Sequence, residues 1–219
     1  MNVELISATP KAEELIVYMA RVSAPKNQDN MDTAPRLLRY LIQHSHWSPF
    51  EMANMCVEIE TTRSISAQII RHRSFSFQEF SQRYADVNEL GSAVIPHLRR
   101  QDNKNRQNST DDLIDTLGPD KLANFYRRTS QLFEDAEHLY KEMVSQGIAK
   151  ECARNVLPLG TQTKLYMNGS IRSWIHYLQL RCDPGTQVEH RQIAEWIKQI
   201  FCREFPIIGE AVFQKETSG

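Results

Sequence analysis

Arg71, His72, Arg73, Glu79, Ser81 and Arg83 fall within thirteen consecutive residues, RHRSFSFQEFSQR, with phenylalanines between them. Arginine suits phosphate because its planar guanidinium donates two parallel hydrogen bonds. Three such groups this close together could neutralise more than one phosphate. Ser81 and nearby backbone N–H groups could add donors, as turns and helix ends do. Glu79 could orient an arginine or accept from a ligand N–H or hydroxyl. The same composition also fits a solvated face of surface ion pairs, or a basic patch on a non-catalytic nucleotide- or nucleic-acid-binding module. The whole chain decides against a dedicated polyanion binder: 26 Lys and Arg stand against 27 Asp and Glu, a net charge of -1. Nucleic-acid binders carry a strong basic excess, whereas a local cluster in a balanced chain fits a small anionic ligand.

Other chemistries are weaker. Ser81 as a nucleophile with His72 as base would need the two adjacent and oriented. They lie nine residues apart with no G-x-S-x-G elbow around Ser81, so Ser81 reads as a donor to a ligand. Cys56 sits in an apolar stretch and reads as a core thiol. The four cysteines, Cys56, Cys152, Cys182 and Cys202, include no C-x-x-C pair, which points to reduced, mostly buried thiols. His44 and His46 form an H-x-H pair without a further ligand at useful spacing, so no metal centre is expected.

These groups must be held by a domain of 219 residues, 41% of them hydrophobic, enough for one core. The spacing predicts strands at 3–6, 55–61 and 164–167, and helices at 11–22, 34–44, 149–155, 171–181 and 188–204. A helix capped by Ser64 should follow the second strand, with Ile65 and Ile69 inward and Gln68 and Arg71 sharing another face. Gly118-Pro119-Asp120 opens a long amphipathic helix near 120–146, with Leu122, Phe125, Leu132, Ala136, Leu139 and Met143 on its apolar side and Gly147 ending it. The polar run 99–112 reads as a surface loop or insertion. Single strands between helices of unequal length, with no G-x-G-x-x-G, favour one α+β domain over 1–219 rather than a doubly wound fold. No apolar run approaches the roughly 20 residues that cross a bilayer. The N-terminus lacks a signal-peptide pattern, so a cytoplasmic protein is expected, or one of the host cytoplasm if the source is viral.

Arg71-His72-Arg73 followed by seven residues and Ser81 resembles the R-H-R-x7-S signature of the flavin-dependent thymidylate synthases. Further blocks resemble the family in the same order. His46-Trp47-Ser48-Pro49-Phe50-Glu51 looks like its H-x-[ST]-x-F-E segment, and Arg63, Ala67 and Gln68 fit the helix before the signature. Glu79, Ser81, Arg83 and Tyr84 complete an E-x-S-x-R-Y end. Ala153-Arg154 with Leu157-Pro158 is similar to an A-R-x-x-L-P block, Arg172, His176 and Arg181 to R-x3-[NH]-x4-R, and Gln187 with Glu189 to Q-x-E.

The resemblance implies an α+β fold with a mainly antiparallel sheet flanked by helices, and synthesis of dTMP from dUMP. Methylenetetrahydrofolate would supply the carbon and NADPH the electrons through FAD, with no protein nucleophile on the uracil. It implies a homotetramer whose active sites are shared between subunits. Carried over by position, Gln68, Arg71, Glu79, Ser81, Arg83 and Arg154 are expected to bind dUMP, with Arg181 polarising the uracil as the catalytic group. Ser48, Arg71, His72, Arg73, Glu79, Arg172 and His176 are expected to bind FAD, and His46 to lie near flavin and folate. Two positions depart: many members carry asparagine where this chain has Ser170 and His176. The 99–112 run matches no catalytic block. It is either a flexible surface insertion or a segment that shapes folate or NADPH access.

Overall fold

The computed structural model describes residues 1–213. In chain order the elements are β1 (Asn2–Ala8), α1 (Ala12–Ala20), α2 (Ala34–Gln43), β2 (Asn54–Thr62), α3 (Arg63–Ile69), β3 (Ser76–Glu79), β4 (Arg100–Gln101), β5 (Ser109–Thr110), α4 (Leu113–Leu117), α5 (Pro119–Ser145), α6 (Lys150–Ala153), β6 (Gln162–Ser170), α7 (Ile171–Arg181), α8 (Val188–Glu204) and α9 (Pro206–Phe213). Short 3-10 turns at Ser48–Glu51 and Arg154–Val156 carry residues of the site. The main sheet runs β1-β2-β6-β3, and each neighbouring pair is antiparallel. The domain is therefore α+β, as the sequence indicates.

Alternation in β2 produces two unlike faces. Met55, Val57 and Ile59 are fully buried, as are Leu165 and Met167 of β6. They join Ile16 and Val17 of α1, Leu38 of α2, Trp174 and Leu178 of α7, and Ile197 and Phe201 of α8 in one core. On the other face Lys164 bridges Glu58 at 2.9 Å and Glu60 at 3.1 Å, and Tyr166 is exposed. One apolar and one polar face is the usual state of an antiparallel sheet.

Several boundaries differ from the sequence expectation. α3 begins at Arg63, and no side chain caps it; the Ser64 hydroxyl instead meets Thr62 Oγ1 at 2.8 Å. β6 extends to Ser170 because its partner β2 stays paired to Asn54. β3 was not expected: it is a four-residue edge strand inside the charged segment. The polar run holds the small β4–β5 hairpin, with Asp102 accepting from the Lys104 and Asn105 amides at its tip. α5 starts at Pro119 after Gly118 in a positive-φ conformation (79°), and Gly147 (84°) follows its end, where L-residues with a Cβ are disfavoured. Yet only Tyr140 of α5 is buried. Phe125, Leu132 and Leu139, seven residues apart and so on one stripe, stay 46%, 64% and 46% exposed.

Gly169 matters for the site. A Cβ there would stand 2.4 Å from Phe75 Cδ1, so only glycine lets the Phe75 ring lie over β6. That ring packs edge-on against Trp174, with centroids 4.7 Å apart. The Phe75 amide donates to the His72 carbonyl at 3.2 Å, closing the turn that carries Arg71, His72 and Arg73.

Candidate active site

The expected residues form three groups within one chain. The first surrounds His72. α7 brings Arg181 to it, and Arg181 Nε donates to His72 Nε2 at 2.9 Å. An acceptor nitrogen carries no proton, so this ring is neutral with its hydrogen on Nδ1. Burial, then the positive charge of Arg181 and the neighbouring His176, hold its pKa down to about 4. With Nε2 occupied in this way, His72 is not poised as a base for Ser81. Behind it, Tyr177 stacks edge-on at 4.9 Å between centroids, and His190 lies at 6.3 Å. His190 is fully enclosed and pushed down to about 3, by burial first and then by Arg181 and His72. Gln68 stands at the rim, bonded to Gln187 at 2.6 Å.

The second group lies on the opposite face of α7, because nine residues are two and a half helical turns. Arg172 and His176, four residues apart, line a cavity of about 420 Å³ with Trp47, Glu51, Ser74 and Gln179. Glu51 accepts from Arg172 at 2.8 Å and from Ser170 Oγ at 2.5 Å. The Ser170 hydroxyl, then the Arg172 guanidinium, hold the Glu51 carboxyl below its ordinary range despite the opposing effect of burial. Ser170 is also the N-cap of α7, accepting from the Ser173 amide at 3.3 Å. Ser48, itself exposed, begins the 3-10 turn that buries Phe50 and ends in Glu51. His46 is exposed, its ring 5.9 Å from that of Tyr40 and 6.1 Å from that of His44. Among the described residues, no cluster of three or more His, Cys, Asp or Glu could hold a metal.

The third group follows β3. Ser81, Arg83, Tyr84, Lys150 and Glu151 line an open pocket of about 350 Å³, where Arg83 pairs with Glu151 at 2.9 Å. Glu79 is turned inward. Its Oε1 receives Arg63 at 2.5 Å, Ser66 Oγ at 2.5 Å and Thr163 Oγ1 at 3.0 Å. Three donors on one oxygen fix this carboxylate and leave Oε2 outside that network. Arg154 starts its own 3-10 turn after α6. Cys56 is half-buried and its thiol pKa is raised by burial, which suppresses the reactive thiolate.

Arg71, Arg73, Arg154 and Arg181 share one property. Among the described residues none of the four pairs with a carboxylate, although Arg154 and Arg181 are half-buried. Arginines at 39, 63, 83, 99, 100, 172, 191 and 203 pair with carboxylates; those at 36, 106, 127 and 128 do not, among the described residues, but are exposed, and buried Arg21 donates to the Asn30 carbonyl and the Thr33 hydroxyl instead. Partly desolvated cations without counter-charge are costly unless an anion arrives.

Sequence reasoning on Glu51 stopped at its place in a motif. It passed over Tyr177, His190, Thr163 and the Arg99–Glu189 ion pair. That pair joins the polar run to the start of α8 at 2.8 Å, with both side chains largely enclosed. Local spacing could not reveal it, since the partners are 90 positions apart.

Residues 4–207 match the family described as "Thymidylate synthase complementing protein". A relative from Paramecium bursaria Chlorella virus 1, "Probable flavin-dependent thymidylate synthase", is 50% identical over 220 residues, covering 97% of this chain and 99% of its own. The "Flavin-dependent thymidylate synthase" of Synechocystis is 50% identical over 200 residues, 91% of this chain and 89% of its own. Among solved structures, a UMP/dUMP methylase, PolB from Streptomyces cacaoi, bound with 5-Br dUMP, superposes with a TM-score of 0.83 at 27% identity, covering 96% of this chain and 93% of its own. On the match over residues 4–207 and the two relatives at 50% identity along nearly the whole chain, this chain belongs to the flavin-dependent thymidylate synthase family.

Proposed function

We propose that this protein makes dTMP from dUMP, with FAD as cofactor, methylenetetrahydrofolate as one-carbon donor and NADPH as reductant. The observation that carries the reading is the set of candidate arginines without carboxylate partners, Arg71, Arg73, Arg154 and Arg181, the last of them bonded to a neutral His72. Such a set receives phosphate and a developing uracil anion. The donors fit a flavin dinucleotide as well. Arg71 and Arg73 are free for its diphosphate, and Arg172 and His176 face a cavity beside the Trp47 ring. Bound FAD supplies the redox chemistry.

The chain's own residues bind, orient and stabilise charge. Arg71, Ser81, Arg83 and Arg154 hold the nucleotide phosphate and sugar, and Gln68 bonds its base. Glu79, locked through Oε1, keeps Oε2 for a ligand. Arg181 stands against the uracil N3 and carbonyl edge. A fixed cation there favours the ionised base and raises electron density at C5, the carbon that gains the methyl group. No side chain need attack the ring.

The active site is completed by other copies in a homotetramer. Within one chain the candidate residues do not share a cavity: Arg172 and His176 line one of about 420 Å³, Ser81 and Arg83 another of about 350 Å³, and Arg181 stands in a separate group. The exposed stripe of Phe125, Leu132 and Leu139 gives α5 an apolar face for such assembly.

The test is the visible spectrum of the purified, FAD-reconstituted protein during titration with dUMP, followed by assay of dTMP formation. Flavin bands that shift with dUMP, and product that requires the folate and NADPH, support the reading. A protein that takes no FAD, ignores dUMP and binds oligonucleotides with steep salt dependence would replace it with the binding-module reading.

A further inference from the structure

We propose that His190 and Tyr177 are positioning residues that hold the amide of Gln68 in one orientation toward the nucleotide. This rests on the assignment of dUMP as substrate and of Gln68 as its contact.

The direction of the network follows from its far end. Glu189 is a carboxylate paired with Arg99 at 2.8 Å. Burial works to raise its pKa, but the donors Arg99 and Gln187 outweigh it, and the net shift is downward. An ionised carboxylate only accepts. The Gln187 contact to Glu189 Oε2 at 2.9 Å is therefore its Nε2–H, which turns Gln187 Oε1 toward Gln68. Gln68 must answer with its own Nε2–H, at 2.6 Å. Its Oε1 then faces His190 Nδ1 at 3.4 Å, a long bond that requires the hydrogen on Nδ1. His190 Nε2 is left as acceptor, and the Tyr177 hydroxyl donates to it at 3.1 Å. Each bond fixes the next, from Arg99 to Tyr177, without freedom for an amide flip.

Gln68 alone in this chain of bonds has been placed against substrate. With Nε2 and Oε1 each engaged once, it offers one remaining N–H and one remaining lone pair, in an order set by its neighbours. Without a donor at His190, the Gln187 contact alone would resist rotation of the amide, and Oε1 would lose the partner that holds its position. His190 is fully enclosed and Tyr177 likewise, so neither touches ligand. They act through Gln68.

The test uses the FAD-loaded enzyme and three variants: His190→Leu, which removes the donor; His190→Asn, whose Nδ2 stands near the place of the imidazole Nδ1; and Tyr177→Phe. Flavin content, melting temperature, kcat and KM for dUMP are measured for each. The leucine variant should retain flavin and raise KM for dUMP about tenfold, with kcat changed much less. The asparagine variant should recover to within about threefold of wild type, and Tyr177→Phe should raise KM a few-fold. A wild-type KM in the leucine variant overturns the proposal. So does an asparagine variant as impaired as leucine when both are loaded with flavin, because a purely structural role would track melting temperature instead. If the leucine variant does not fold, Tyr177→Phe decides: a raised KM supports the proposal and an unchanged KM refutes it. A wild-type enzyme inert to dUMP refutes the functional reading, and the positioning role falls with it; an active wild type with unaffected variants refutes the positioning role alone.

Discussion

Acid should destabilise this protein well before its carboxylates titrate, and His190 should be the largest single cause. Its folded pKa is about 3 against an ordinary 6.5. Below 6.5 the unfolded chain binds a proton that the native core refuses, so stability falls as pH falls, through the window from about 6.5 down to about 3. Each proton of difference costs about 1.4 kcal/mol per pH unit. Integrated from pH 7 to pH 5, a histidine that stays neutral in the fold loses about 2 kcal/mol. His72, down to about 4, adds about 1 kcal/mol in the same direction once its partial contact with water is discounted. The sum, about 3 kcal/mol, is a large part of the roughly 5–15 kcal/mol of a typical domain. Urea titrations at pH 7, 6 and 5, at fixed protein concentration, measure it. The decisive comparison is with His190→Asn, which has no group to titrate there. Wild type should lose about 2 kcal/mol more than the variant between pH 7 and pH 5, or about 1 M in urea midpoint. Parallel losses in the two proteins would show that His190 is not held neutral by the fold.

Three further outcomes are expected. Arg181→Ala should keep its fold and flavin and lose about 10²–10³ in turnover, the usual cost of removing one preorganised charge-stabilising donor; near-normal dTMP formation would remove the role given to Arg181. Ser170→Ala removes the N-cap of α7 and should cost about 1 kcal/mol in denaturant unfolding, so an unchanged midpoint would mean that Glu51 alone holds this end of the helix. Leu132→Glu puts a charge on the exposed stripe of α5 and should shift sedimentation toward smaller species; an unaltered assembly would place the subunit contact elsewhere.

How much of this was legible in the chain depended on range. The span of α8, 188–204, came out as expected because apolar residues recur at helical spacing, and Ile193, Ala194, Ile197 and Phe201 are all buried. β2 was legible for the same reason with a period of two. β3 was not, because SFQE is short, sits at a sheet edge and lies among charges. Its strand conformation comes from pairing with β6, not from its own pattern. The candidate site residues were singled out through ordered motifs, but their partners were not. Glu51 meets Arg172 across 121 positions, and His190 meets Gln68 across 122. Local spacing carries no information about such pairs; the packing of α7 on the Ser48–Glu51 turn and of α3 on α8 creates them.

Gly169 touches no expected ligand and bears no functional group, yet a survey of inactivating substitutions should recover it beside the arginines. An alanine there meets the Phe75 ring at 2.4 Å, and the ring must move together with the turn it closes. Arg71, His72 and Arg73 would shift as one unit while every one of them stayed in the sequence. Loss of activity at such a position would be misread as loss of chemistry. Its role is volumetric: the place of the cations is set by a side chain that is not there, and drift of the sequence at this strand is barred by the ring that fills the space.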